Sequence, residues 1–536
     1  MSDLKLDTVI RNATVLTMDD CGSVAATIGV LGEQIVVVDG PTDGYTAHND
    51  IDASGLVVIP GFQDAHCHTG WYGLSQDELD LSEASTLDAV YAGIGRRAAE
   101  RQPGEWVLAA GFNHFDFGGR YPQLGILDAI SPHNPVFIRH NSGHACVVNS
   151  AAAQMAGLPR IVSQDGSGDR HVLREKEQQK IQEMFMPYAE TALVEAIGRA
   201  TSQYASEGIT SFTEAGIGGG WIGRSPIEFA AYQTARERGQ LHARAQIMVA
   251  LDALHPVQGH ASDPHRWGLD LGLRTGVGDD WLSIGPAKVF IDGSLLGLTA
   301  AMSKDYCTGP ADNHGSFEGD PDEVADRILG AYASGWSIAA HAIGDVAIAF
   351  AVELFEKATR LYGKRRVPNR IEHGGVVPER LLARAAAAGV VIVPQPGFIP
   401  SFGVEMALAL GPERVAESYR ARSQLDAGMT LPGSSDRPVA PGAPLRNIQA
   451  FVERRCGADA IYGPDERIDV VDALRAYTRG SAEATGCADR RGTITTGKLA
   501  DLVLLERNPL DVRIEEISSI GVRTTLVGGR ITHHNG

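Results

Sequence analysis

His66 and His68 stand two positions apart, and side chains at i and i+2 of an extended segment face the same way, so both imidazoles can reach one divalent cation. Alone the pair means little, because 17 histidines in 536 residues produce about half an H-x-H by chance. Four further residues change its weight: Lys288 inside the apolar run Ala287-Lys288-Val289-Phe290-Ile291, then His341, His373, and Asp436 in Gly433-Ser434-Ser435-Asp436. Singly, each histidine has an ordinary reading as a hydrogen-bonded core or surface residue, and Asp436 as a turn or helix-capping residue. Lys288 is harder to dismiss, since an unpaired ammonium in an apolar strand costs several kcal/mol. It either pairs with Asp292 or Glu214, or reacts with CO2 to give a carbamate whose two oxygens could bridge two cations. Such a set offers nitrogen and oxygen donors to divalent cations.

The elements around these residues place them together. Apolar, β-branched runs at residues 56–62, 209–212, 243–250, 287–291, 336–340, 370–371, 390–393 and 429–432 alternate with longer Ala/Glu/Arg-rich helical patterns, which predicts βαβ units and a parallel sheet. Eight parallel strands suggest a barrel. Nearly every candidate follows or ends one of these runs, so residues spread over about 370 positions would converge on the carboxyl rim of a (β/α)8 barrel. The strand-like runs 106–110 and 135–139 and the helical pattern 174–188 fall between the first and second core strands, in a stretch far longer than a simple crossover needs. They are assigned to an insertion. The first 55 and last 45 residues share a texture of short strands and turns, and the two could pair into one small sheet domain.

Composition sets the frame. The net charge is −19 without a Lys/Arg cluster, which speaks against nucleic acid as a partner. Six dispersed cysteines with no CxxC suit a reducing compartment. Residues 1–20 hold no apolar signal core, and the longest uncharged stretch, 385–404, carries three prolines. The expectation is a soluble, cytoplasmic protein with a small-molecule substrate and no membrane contact, a homodimer being only a prior.

The motifs resemble the amidohydrolase superfamily. Pro60-Gly61-Phe62-Gln63-Asp64-Ala65-His66-Cys67-His68 is similar to its first-strand motif PGxxDxHxH. The segments Lys288 to Leu295, His341-Ala342-Ile343-Gly344-Asp345, Arg370-Ile371-Glu372-His373 and Ser434 to Val439 narrow the resemblance to the branch of N-substituted formamide deformylases and YtcJ-like hydrolases. Leu474 to Thr478 and Gly497 to Val503 extend it toward the C-terminus, so it covers essentially the whole chain. The resemblance implies a TIM barrel, residues 56–485, with a β-sandwich built from residues 1–55 and 486–536 and an insertion at about 70–205 over the active face. It implies two divalent ions, Zn2+ foremost, with Mn2+, Fe2+ or Co2+ also acceptable to such donors. His66, His68 and Asp436 would hold the more buried ion and His341 and His373 the other, bridged by carbamylated Lys288. The activity implied is hydrolysis of a C–N bond in an N-substituted formamide, amide or carbamate: two cations would bring a shared water toward neutrality as hydroxide, and Asp436 would orient it, take its proton and pass that proton to the leaving nitrogen.

Asn141-Ser142-Gly143-His144-Ala145 resembles the family's DGHA segment, which assigns His144 to the substrate site. Trp71, Phe112, Asn113 and Phe115 are candidate substrate contacts from the insertion, or aromatic core. Leu298 stands where relatives often carry Arg, which points to a neutral or apolar substrate. Glu214 replaces a frequent Asp and receives no role; Cys67 is expected to pack on the opposite strand face. Two other readings compete. One is a mononuclear deaminase of the same superfamily, which Lys288 opposes and Glu372 beside His373 favours; the other is a silent scaffold, opposed by the complete ligand set.

Overall fold

The computed structural model describes residues 4–40, 45–140, 145–158, 171–174, 176–182, 184–220, 222–264, 266–457 and 460–535. The chain divides into two compact units, Met1–Thr69 with Ile197–Gly536, and Gly70–Ala196.

The first unit contains a seven-stranded parallel sheet: β1 (Phe62–Cys67), β2 (Ile209–Ile217), β3 (Arg244–Ala250), β4 (Leu282–Phe290), β5 (Ile338–Ala342), β6 (Arg370–His373) and β7 (Val391–Val393). Neighbours in sequence are neighbours in the sheet. All nine residues of β2 and all seven of β3 are buried, as expected for parallel strands covered on both faces. Helices Pro321–Ala333, Asp345–Tyr362 and Glu379–Ala388 follow β4, β5 and β6, and Ile348, Val352, Phe355, Leu381 and Leu382 pack against Val289, Ile338, Ala340, Ile371 and Ile392 of the strands. The first of these helices starts sharply, because Asp320 accepts from the Asp322 and Glu323 amides and Pro321 fills the first turn.

Two of the expected barrel strands differ. Residues 56–62 split at Gly61: Val57–Pro60 lies in a sandwich sheet, antiparallel to Leu502–Leu505, and β1 begins at Phe62. A Cβ on Gly61 would fall 2.1 Å from the Thr210 hydroxyl, so glycine alone allows the chain to pass from one sheet to the other so closely. Residues 429–432 form no strand. The adjoining stretch closes the barrel on the β1 side instead, through Ala65 N to Gly433 O (3.0 Å), Asp436 N to His66 O (2.7 Å) and His68 N to Arg437 O (2.8 Å). Pro432 lacks an amide and Asp436 has φ +58, so this stretch cannot run as regular extended chain.

The fold is therefore an α/β TIM-type barrel joined to a β-sandwich made by both ends of the chain, with an insertion after β1. One sandwich sheet orders Gln34–Val38, Ile28–Leu31, Leu4–Arg11 and Tyr45–Asp52; the other brings Arg530–His534, Val522–Val527 and Leu502–Leu505 beside Val57–Pro60, Thr14–Leu16 and Val24–Ala25. Ile10, Val15, Ile28, Val58, Leu502, Leu504 and Leu526 form its core. Arg244 fixes barrel to sandwich: fully buried, it pairs with Asp501 at 2.9 Å and Glu33 at 3.0 Å and stacks on Trp281.

The second unit has its own five-stranded sheet, in the order Val172–Arg174, Ala145–Val148, Val136–His140, Val107–Phe112 and Leu79–Asp80. Helices Leu87–Ala99 and Leu124–Ile130 cover it over Val90, Ile94, Val107, Phe112, Leu127 and Ile138. The helical pattern expected at 174–188 shortens to Lys176–Gln182, with a strand before it.

Candidate metal centre

His66 is on β1 and His68 immediately beyond it, 0% and 8% exposed. Cys67 between them turns to the other face, its Sγ 3.6 Å from the Thr213 carbonyl oxygen, where burial pushes its thiol well up. Asp64, two residues before His66, accepts from the His66 amide at 3.1 Å and from both the amide (3.1 Å) and hydroxyl of Ser435. One buried carboxylate thus pins β1 to the segment that carries Asp436; burial pushes Asp64 up to about 6. Asp436 and His373, with φ +58 and +75, occupy the left-handed region that non-glycine residues adopt only where the surrounding structure imposes it.

The hydrogen bonds fix which nitrogen of each imidazole is available. His66 Nδ1 donates to Glu372. Burial alone would raise the Glu372 carboxyl, but Arg370, donating to both of its oxygens at 2.8 Å, and His66 hold it well below the usual range, so it acts only as an acceptor. His66 Nε2 faces Asp436 Oδ1 at 3.2 Å; burial and the Lys288 charge would lower the His66 imidazole, but Glu372 and Asp436 on either side raise it above its ordinary value, so a proton or a cation sits between Nε2 and Asp436. His373 Nδ1 lies 2.7 Å from Gln395 Oε1, whose own amide nitrogen donates to Val393 O and the Ser434 hydroxyl, leaving His373 Nε2 open. His341 Nε2 is 2.9 Å from the Gly293 carbonyl oxygen, leaving Nδ1. His68 Nε2 is 3.1 Å from Asp436 Oδ1, and its Nδ1 is 3.8 Å from Glu214. Burial pushes His68 down to about 4, His341 down to about 3 with help from the Lys288 charge, and His373 well below its ordinary value, so all three are neutral donors at pH 7. Asp436 stays ionised: burial opposes this, but His66 and His68 hold its carboxyl well below the ordinary value.

Donor atoms of His66, His373 and Asp436 lie within 4.8 Å of one another. The His66 ring is 5.5 Å from His68, and the His341 ring 4.4 Å from His373, centroid to centroid, so the five side chains form one continuous cluster. His66 Nε2 and Asp436 Oδ1 are buried without a hydrogen-bond partner. A ring nitrogen and a carboxylate oxygen facing each other in a dry interior need a proton or a cation between them, and with the neutral His68, His341 and His373 beside them the residues fit a divalent metal with nitrogen and oxygen donors.

Lys288, on β4, is 2% exposed, with Nζ 4.9 Å from the Phe290 ring centroid. No ion pair joins it to Asp292 or Glu214: Asp292 accepts from the amides of Ala301, Ile343 and Gly344 at 2.8–3.0 Å, and Glu214 accepts from the Tyr232 hydroxyl at 2.5 Å. Burial pushes Lys288 down to about 8, and its charge in turn adds to burial in lowering His341 and His373 and opposes the rise of His66, which places it beside the cluster.

Of the insertion residues, Trp71 lies on helix Thr69–Ser75 and Asn113 just after strand Val107–Phe112, both in the second unit; His144 lies outside the described residues. Phe112 is fully buried and stacks on Phe117, which makes it core of the insertion and not a substrate contact. Sequence reasoning missed Gln395 and the structural roles of Asp64, Arg370 and Glu372. The alternation Arg370-x-Glu372 on a buried strand was the available signal for the last two.

A parallel barrel with buried imidazoles and an ionised carboxylate gathered at the carboxyl ends of its strands defines a metal-binding enzyme of the TIM-barrel class. The Amidohydrolase family profile matches residues 50–533, and the chain belongs to that family. It is 28% identical over 98% of its length to the N-substituted formamide deformylase of Arthrobacter pascens, covering 97% of that protein, and 27% identical over 91% to YtcJ of Bacillus subtilis strain 168, a provisionally assigned amidohydrolase, covering 91%. These relatives place it in the YtcJ-like branch. A solved structure, an uncharacterized metal-dependent hydrolase from Pyrococcus horikoshii OT3, aligns with TM-score 0.79 at 25% identity over 95% of this chain and 99% of that one. The protein is thus a metal-dependent amidohydrolase.

Proposed function

We propose that the enzyme hydrolyses the C–N bond of a small neutral or apolar N-substituted formamide, amide or carbamate, with His66, His68, His341, His373 and Asp436 holding two divalent cations, Zn2+ foremost. The observation that carries this is the cluster of four buried imidazoles around ionised Asp436, with His66 Nε2 and His68 Nε2 at 3.2 and 3.1 Å from its Oδ1 and His341 against His373. When bound, the cations acidify a water toward neutrality and polarise the scissile carbonyl. Asp436 orients the attacking water, accepts its proton and releases that proton to the departing nitrogen, which leaves as an amine. The depressed Lys288 leaves a larger neutral fraction of the amine near pH 7 than an ordinary lysine has; it adds to CO2, forming the N–C bond of a carbamate and losing one proton to solvent.

Leu298 packs on an apolar cluster with Leu295, Met302, Tyr306 and Phe398, and Phe398 stacks on His373 with centroids 6.1 Å apart, which supports an uncharged substrate. His144, Asn113 and Trp71 are proposed substrate contacts from the insertion. All six cysteines are unpaired, and among the described residues no helix is long and apolar enough to cross a membrane; both support a cytoplasmic enzyme. The mononuclear deaminase retains one favourable observation, the tight three-residue group of His66, His373 and Asp436. Glu372, however, is occupied behind His66 by Arg370, away from any substrate. The test is elemental analysis combined with assay of N-formyl and N-acyl amines before and after chelation. About two metals per chain with chelator-sensitive amine release is expected; under one metal with deamination of a ring amidine would favour the alternative.

A further inference from the structure

The four histidines of the centre are backed by unlike acceptors. Behind His66 stands a carboxylate, Glu372, which β6 projects across the barrel interior to β1, two strands that are not neighbours in the sheet. Arg370 and Glu372, two positions apart, point the same way from β6. Arg370 holds both Glu372 oxygens at 2.8 Å and also donates to the Ala65 carbonyl oxygen at 2.7 Å, so the ion pair is anchored to the residue next to His66. All three side chains are fully buried. His68 has a second carboxylate nearby, Glu214 at 3.8 Å. His373, by contrast, leans on the neutral amide of Gln395, and His341 on a main-chain carbonyl.

A carboxylate behind a ligating imidazole fixes its tautomer and raises its basicity more than an amide or carbonyl does. We propose that the Arg370–Glu372 pair is a positioning element that makes the His66/His68/Asp436 side of the centre the high-affinity cation position, and the His341/His373 side the exchangeable one. This rests on the metal-centre reading above and adds the order of filling and loss. Substitution of Glu372 by Gln is informative because Arg370 presents N–H donors to both carboxyl oxygens. Wherever the amide nitrogen sits it opposes a donor, and at the Oε2 position it would donate to His66 Nδ1 and shift the His66 proton to the nitrogen that must bind the cation.

The experiment titrates the metal-stripped full chain with Zn2+ against a competing chelator and with Co2+ by visible absorption, in wild type, Glu372→Gln, Glu372→Asp and Gln395→Glu. Expected is a tight and a weak step in wild type, and a tight step weakened about 10- to 100-fold in Glu372→Gln with an altered Co2+ spectrum, the weak step unchanged. Glu372→Asp should recover part of the loss. Gln395→Glu, which gives His373 a carboxylate, should tighten the weak step. A tight step within twofold of wild type in folded Glu372→Gln, or a loss confined to the weak step, overturns the inference. If Glu372→Gln does not fold, an unchanged weak step in Gln395→Glu overturns it. Absence of any metal binding by wild type would instead defeat the metal-centre reading itself.

Discussion

The two ends of the barrel treat buried charge in opposite ways. At the amino-terminal end, Arg244 is surrounded: Asp501 takes its Nε and Nη2, Glu33 takes Nη2 again, and Trp281 covers its plane. At the carboxyl rim, buried His66 Nε2 and Asp436 Oδ1 face each other across 3.2 Å, Lys288 Nζ lies 4.9 Å from the Phe290 ring, and His373 and Asp436 hold positive φ. At one end the buried charge is paired within the fold; at the other, imidazole and carboxylate atoms are gathered at the strand ends and two of their residues hold positive φ. The difference shows that a single fold can pair buried charge within itself at one end and gather it for a ligand at the other.

Three substitutions would sharpen or break that contrast. Arg244→Met should have the largest effect, lowering stability by about 3–5 kcal/mol in denaturant unfolding, because it leaves Asp501 buried without its cation, while metal content per folded chain stays as in wild type. A loss of metal with unchanged stability would show that the two ends are not separable in this way. Asp436→Asn should cost roughly 100-fold or more in turnover, about 2.7 kcal/mol of barrier, with most metal retained and little change in melting temperature. Undiminished turnover would remove Asp436 from proton transfer.

The third concerns pH. The folded-state value of Lys288 lies at about 8, below the ordinary 10.5, so between those values the unfolded chain binds a proton that the folded chain does not. Stability of the metal-stripped protein should therefore rise with pH through that window, by on the order of 2–3 kcal/mol, and then level off. Lys288→Met should lack this component, and parallel stability curves for the two proteins would disprove it.

Much of the barrel was legible because strand ends and cation donors coincide in the chain: a histidine or aspartate at the close of an apolar run is a local pattern with a spatial meaning. What escaped was set by contacts between distant residues. Nothing local reveals that Val57–Pro60 prefers Leu502–Leu505 to the barrel, since both choices want the same apolar, β-branched residues; only the contact of Gly61 with Thr210 divides the run. The eighth run looked like a strand by composition, yet the turn that aims Asp436 inward is incompatible with extended chain. The acceptors behind the histidines were unreadable for the same reason, Glu372 lying 306 positions from His66 and Gln395 being one polar residue between two prolines.

The pairing of Val57–Pro60 with Leu502–Leu505 also sets a timetable. Roughly 440 residues must be translated between these two strands, which at about 5–20 residues per second takes on the order of 20–90 seconds. Throughout that interval the stretch leading into His66 has one sheet edge open and no antiparallel neighbour to settle against. The strand that carries His66 is among the earliest parts made and among the last to be locked, so a nascent chain stalled before residue 502 would expose that edge to chaperones and to other stalled copies.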